Sequence, residues 1–284
     1  MKIAVVTDST AYLPEDVRKR LGIHVVPLAV TIDGHDYDEE VDITTEEFYD
    51  KVRNGGELPK TSQPPVGQFA AKFKELHDDG ADAIISIHLS SGISGTYMGA
   101  VQAGELAQDF DVRAFDSEIS CYMQGFYAIR AAEMAKEGQP LDAIMAELNE
   151  MKKTMRAYFM VDDLSHLQRG GRLSGAQALI GGLLQVKPIL HFVDKVIVPF
   201  EKIRTRKKAM KRIADLLGED AAKMPLDAAI IHGNCPEEAD KWLEALSALY
   251  PDVRFNISYF GPVIGTHLGE GAMGLGWVKR RTNN

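Results

Sequence analysis

Apolar runs of strand length alternate with stretches of helical period along most of this chain. Residues 3–7 read as a first strand ending in Asp8-Ser9-Thr10, and Pro14 suits the first turn of a following helix. The run 25–32 meets Asp33-Gly34, a turn dipeptide, which predicts a small hairpin. Thr44 and Glu47 have capping-box spacing for a helix through about residue 52. Residues 61–65 read as a loop leading into a helix over 66–77. The run 83–89 reads as a buried strand, and it opens through a Ser/Gly-rich turn onto a helix from Met98. A strand at 112–115, the turn Asp116-Ser117, and helices over 122–136 and 141–155 follow.

Composition shifts near Arg156, so the chain divides into an N-terminal α/β domain, 1–155, and a C-terminal α/β domain, 156–284. The second part holds a strand at 158–161, a loop over 167–174, and paired strands at 188–192 and 196–200. A basic helix from Thr205, a strand at 228–231, a helix over 237–249, a strand at 254–258 and a Gly-rich tail complete it. Strands alternating with helices predict an α/β architecture with a largely parallel sheet.

Composition narrows the function classes. The 284 residues are 45% apolar and 26% charged, the balance of a soluble globular protein. A net charge of −9 and the lack of a clear helix-turn-helix argue against a nucleic-acid partner. Cys121 and Cys235 have no metal-like spacing, so no metal is expected and a reduced, cytoplasmic setting is. The first apolar run is too short for a signal-peptide core, and none approaches the roughly 20 residues of a membrane span.

The densest chemistry lies at 90–97, Ser-Ser-Gly-Ile-Ser-Gly-Thr-Tyr. Hydroxyls and N–H groups gather there at a strand-to-helix turn, where the helix dipole favours an anion. Three readings stand: an anion cradle, a serine nucleophile, or capping alone. The nucleophile-elbow pattern G-x-S-x-G and the Walker A pattern are both unmatched. Asp8-Ser9 and Asp116-Ser117, each at a strand end, either cap the next helix or rim a shared crevice. Thr61 and Ser62 stand before Gln63-Pro64-Pro65, where prolines stiffen the chain. Arg169 and Arg172 flank Gly170-Gly171, either on a surface turn or forking onto a carboxylate or phosphate. The basic run from Lys202 to Arg212, with Arg204 and Arg206, is either a solvated face or a docking patch. His267, between Gly265 and Gly269, is either structural or aimed into a crevice toward an anion.

In order, Thr7-Asp8-Ser9, Thr61-Ser62-Gln63-Pro64, residues 90–96, residues 167–174, Lys187-Pro188-Ile189-Leu190 and residues 265–271 resemble the blocks of the DegV family of bacterial fatty-acid-binding proteins. The resemblance spans nearly the whole chain. It implies a two-domain α/β fold, with a Rossmann-like parallel sheet in the N-terminal domain and a mixed sheet in the C-terminal one. One long-chain fatty acid would lie between them, with no other cofactor. Carried over by position, Thr61, Ser62 and Ser94 would face the carboxylate, assisted by the N–H groups of Gly95 and Thr96 and the ring of His267. The resemblance also implies a carrier without catalysis of its own, presenting the carboxylate to a fatty acid kinase that forms an acyl phosphate. Arg172, Arg204 and Arg206 would then face the kinase or its nucleotide, and transient contact with a membrane is compatible with the role. Pro65 departs from the small hydroxyl residue that many members carry there. The rival reading is an enzyme, a serine acyl-hydrolase or small-anion phosphotransferase built on the Ser-Gly turn.

Overall fold

The computed structural model describes residues 1–55, 57–174 and 187–282. β1 (Ile3–Asp8), α1 (Glu15–Leu21) and β2 (Ile23–Val26) open a first sheet. β3 (Ala29–Ile32), β4 (His35–Asp38), α2 (Thr45–Asn54) and β5 (Lys60–Ser62) form a small excursion beside it. The chain returns through α3 (Val66–Asp78), β6 (Ala83–His88), α4 (Thr96–Leu106) and β7 (Asp111–Asp116), then runs into α5 (Cys121–Lys136) and α6 (Leu141–Thr154). The sheet order is β2-β1-β6-β7, and all its ladders are parallel.

Every residue of β6 is buried, as befits a strand covered on both faces. Ile84 packs with Phe69 and Phe73 of α3, while Ile85 and Ile87 belong to the cluster around α5. From β1 the chain leaves toward β2 on one side, and β6 lies on the other. The carboxyl ends of β1 and β6 therefore flank a topological switch point, the usual place for a ligand in such a sheet. The 90–95 turn springs from that edge.

The expected hairpin is β3–β4. Its two connecting residues, Asp33 and Gly34, have φ of 49° and 79°, as a type I′ turn requires. β5 adds a third strand by pairing Thr61 with Val30 and Ser62 with Ala29, so these two residues are not in a loop. A Lys-Thr-Ser strand has no apolar alternation, and its extended shape comes from β3.

The second part contains β8 (Arg156–Met160), α7 (Ser165–Arg169), β9 (Lys187–Val193) and β10 (Val196–Ile203). It continues with α8 (Arg206–Ala221), β11 (Leu226–His232), α9 (Pro236–Leu249), β12 (Arg254–Tyr259), α10 (Pro262–Leu268) and β13 (Met273–Lys279). Its sheet, β10-β9-β8-β13-β11-β12, is antiparallel except for β11–β12. Parallel pairing thus dominates the first sheet and not the chain. Residues 167–169, read as the start of a loop, lie instead in the short helix α7.

The Gly-rich tail is the larger correction, because it contains α10 and the interior strand β13. Its glycines serve close packing. A Cβ on Gly265 would lie 2.6 Å from the Tyr49 hydroxyl, and one on Gly276 would lie 2.2 Å from Met123 Sδ. α5 is buried along most of its length, and its cluster joins Phe115 of the first sheet to Phe159 and Ile231 of the second.

Candidate binding site

A cavity of about 340 Å³ lies where α5, the six-stranded sheet and the 90–95 turn meet. That volume falls within the range of small-molecule sites. Most of the wall is apolar: Met123 of α5, Phe159 of β8, Phe192 of β9, Ile197 of β10, Ile231 of β11 and Ile264 of α10. A contiguous polar region closes the rest, from Thr61, Ser62, Gln63, Ser94, Gly95, Arg172 and His267. Arg172 is the one charged side chain among the described lining residues, and no carboxylate stands among them.

The polar region is built from separate elements. The 90–95 turn is fastened by Ser90 N donating to Ile119 O (2.7 Å) and by Ile93 N and Ser94 N donating to Ser90 O. Gly95 is the N-cap of α4 and brings no side-chain cap, so the positive end of the helix is left to another acceptor. A Cβ on Gly95 would sit 1.9 Å from Gln63 Oε1, so glycine is what lets the Gln63 amide lie against this helix end. Ser94 Oγ is 2.9 Å from Thr96 Oγ1 and accepts from Thr96 N at 3.3 Å.

His267 comes from α10, where its Nε2 lies 2.9 Å from Thr61 Oγ1. Its Nδ1 is buried without a partner, against Gly170, whose Cβ would lie 2.4 Å from it. A buried orphan donor costs more than an idle lone pair. The favoured tautomer therefore places the proton on Nε2, donating to Thr61 and turning the Thr61 hydroxyl proton outward. Burial, then the nearby Arg172 charge and His166, lower the imidazole pKa to about 4. The ring is neutral near pH 7. Arg172 Nε reaches Ile93 O at 3.4 Å, tying the arginine to the same turn.

Five of the six ligand-facing residues read from sequence line the cavity: Thr61, Ser62, Ser94, Gly95 and His267. Thr96 is fully buried behind Ser94 and does not. Arg172 lines it, whereas Arg204 is exposed elsewhere and Arg206 pairs with Glu238 (2.7 Å) and Asp162 (3.4 Å). Neither Asp-Ser pair rims the cavity. Asp8 caps Thr10 N and also accepts from Leu89 N, while Asp116 accepts from Ser91 N and Glu118 N.

Sequence reading missed two buried arrangements. Ser86 Oγ, His88 and Asp8 form a relay with distances of 2.6 and 2.9 Å, but all three are fully buried and none lines the apolar cavity. Glu39 accepts from Ser9 Oγ, Tyr12 OH and Val263 N, tying the first part of the chain to the start of α10. Burial pushes its carboxyl up to about 8. Among the described residues, no group of His, Cys, Asp and Glu could hold a metal ion, and no helix is long and apolar enough to cross a membrane.

Known proteins share this architecture. A family model described as an uncharacterised protein, DegV family, matches residues 2–280. Protein DegV of Bacillus subtilis (strain 168) is 61% identical over 280 residues, which are 98% of this chain and 99% of the relative. The crystal structure of DegV, a fatty acid binding protein from Bacillus subtilis, matches with a TM-score of 0.94 at 60% identity, covering 99% of this chain and 100% of that one. A DegV family protein from Thermus thermophilus, described for its fatty acid binding, matches at 0.92 with 34% identity and the same coverage. A family model spanning nearly every residue, and a relative this close over the same span, show that this chain belongs to the DegV family.

Proposed function

We propose that this protein binds a long-chain fatty acid in the cavity and presents its carboxylate to a partner fatty acid kinase. One observation carries the binding half: an apolar cavity ends in hydroxyls, a helix N-terminus and a single arginine, with no carboxylate in its described lining. Fatty acid binding by the solved Bacillus subtilis and Thermus thermophilus relatives supports the same ligand. A buried carboxylate is costly unless donors pair with it. Thr61, with its proton directed outward by His267, and Ser94 supply hydroxyls; Gly95 and the first turn of α4 beyond Thr96, whose own N–H meets Ser94 Oγ, supply N–H groups. Ser62 stands beside Thr61 and Thr96 behind Ser94, as a second rank of hydroxyls.

The tail supplies most of the affinity. At about 0.8 kcal/mol per buried CH₂, a sixteen-carbon chain contributes on the order of 12 kcal/mol before ordering costs. On this reading residues 1–155 and 156–284 are two domains with the acid between them. Arg172 stands beside the carboxylate, and Arg204, Arg206 and the basic face of α8 meet the kinase or its nucleotide. The acid is loaded by transient contact with a membrane, and the protein works in the cytoplasm without metal or further cofactor.

A hydrolase or phosphotransferase centred on Ser94 is less well supported. The Ser94 hydroxyl meets Thr96, not an imidazole, and His267 Nδ1 has no carboxylate to orient it, unlike the base of a catalytic triad. Ser94→Ala separates the two. A carrier loses roughly tenfold in fatty-acid affinity, about the worth of one hydrogen bond to a charged group, and neither protein turns over acyl esters. Ester turnover by wild type that disappears in Ser94→Ala would overturn the carrier reading.

A further inference from the structure

The β9–β10 hairpin touches both ends of the cavity. Its strands place Phe192 and Ile197 in the apolar wall, while its tip, Asp194-Lys195, docks on the 90–95 turn at the polar end. The docking has four parts. Ser90 Oγ donates to Lys195 O at 2.7 Å. Lys195 Nζ pairs with Asp116 Oδ2 at 3.0 Å. The same carboxylate accepts from Ser91 N (3.1 Å) and Ser91 Oγ (2.5 Å). A Cβ on Gly92 would fall 2.3 Å from Lys195 O, so the two backbones are in direct contact.

The tip itself carries a second indication. Asp194 and Lys195 have φ of 47° and 74°, a left-handed pair for which a two-residue hairpin favours Asn-Gly. A lysine there carries the steric cost of its Cβ. Its side chain spans to the other sheet, where Asp116 is 7% exposed. Ser94 and Gly95 follow two and three residues beyond Gly92, so what fixes Ser91 and Gly92 also fixes the donors that face the cavity.

The geometry points to a clasp in which Lys195 and Asp116 are positioning residues, setting the 90–95 turn for its anion without touching the ligand. The clasp deepens the fatty-acid reading and rests on it for the ligand, but its mechanical half is independent of any ligand. Amide hydrogen exchange on ligand-free protein tests that half. Lys195→Met, at a side chain 43% exposed, speeds exchange over residues 91–95 about fivefold, and Lys195→Arg restores it. Binding of myristate and of 1-tetradecanol by equilibrium dialysis tests the consequence. Lys195→Met weakens myristate about fivefold and Asp116→Asn about tenfold, while tetradecanol changes less than twofold in both. Unchanged exchange over 91–95 in Lys195→Met overturns the clasp, as do equal losses for acid and alcohol. A wild-type protein that binds neither lipid sinks the fatty-acid reading instead, and the exchange data then decide the clasp alone.

Discussion

Replacing His267 by Gln keeps a hydrogen-bonding group within reach of Thr61 but removes the titration. Unfolded, a histidine titrates near 6.5; in the folded protein burial and Arg172 bring His267 down to about 4. Between those values the unfolded chain holds a proton that the folded chain does not, so acid favours unfolding. The stability contributed by the neutral ring is complete above about 6.5 and is lost as pH falls through about 4. The whole interval is worth about 3 kcal/mol, and integration from pH 7 to pH 5 gives about 2 kcal/mol. Urea unfolding of delipidated protein, followed by the fluorescence of Trp242 and Trp277, reads this out. His24, His166, His191 and His232 also have lowered pKa values from burial, but they titrate in both proteins and largely cancel. Wild type loses about 2 kcal/mol more than His267→Gln between the two pH values. Equal losses would mean that the ring is solvated or already paired with an anion, and the outward-turned Thr61 proton would lose its basis.

Two further outcomes follow from the cavity wall. Affinity for saturated acids from ten to fourteen carbons rises about fourfold per methylene, the equivalent of about 0.8 kcal/mol; a flat series by equilibrium dialysis would remove the tail from the binding site. Gly276→Ala puts a Cβ 2.2 Å from Met123 Sδ and 2.8 Å from Arg156 O, with Met123 fully buried. It destabilises by about 1–3 kcal/mol, seen as a lower urea midpoint at unchanged slope, and an unchanged midpoint would show the glycine to be incidental.

Local signals carried well from sequence to structure. Both bonds of the Thr44–Glu47 capping box form, and Thr205 caps α8 through Lys208 N. The turn at 90–95 and His267 stood out by composition, and both line the cavity. What stayed illegible is set by contacts distant in sequence. His267 finds Thr61 across 206 positions, a pairing no spacing rule encodes. β5 becomes a strand through β3, and the cavity wall draws residues from strands whose order in the sheet differs from their order in the chain. The C-terminal glycines misled for a related reason. Glycine density signals freedom in a loop and tight packing in a strand or helix, and only the neighbours decide which.

Native mass spectrometry of the purified protein, with denaturation and identification of any released molecule, tests the central claim most directly. The account predicts a stoichiometric fatty acid of about fourteen to eighteen carbons, held by tail burial and an ionised head. A ligand-free mass that takes up no added fatty acid would contradict it and return the 90–95 turn to the enzyme reading.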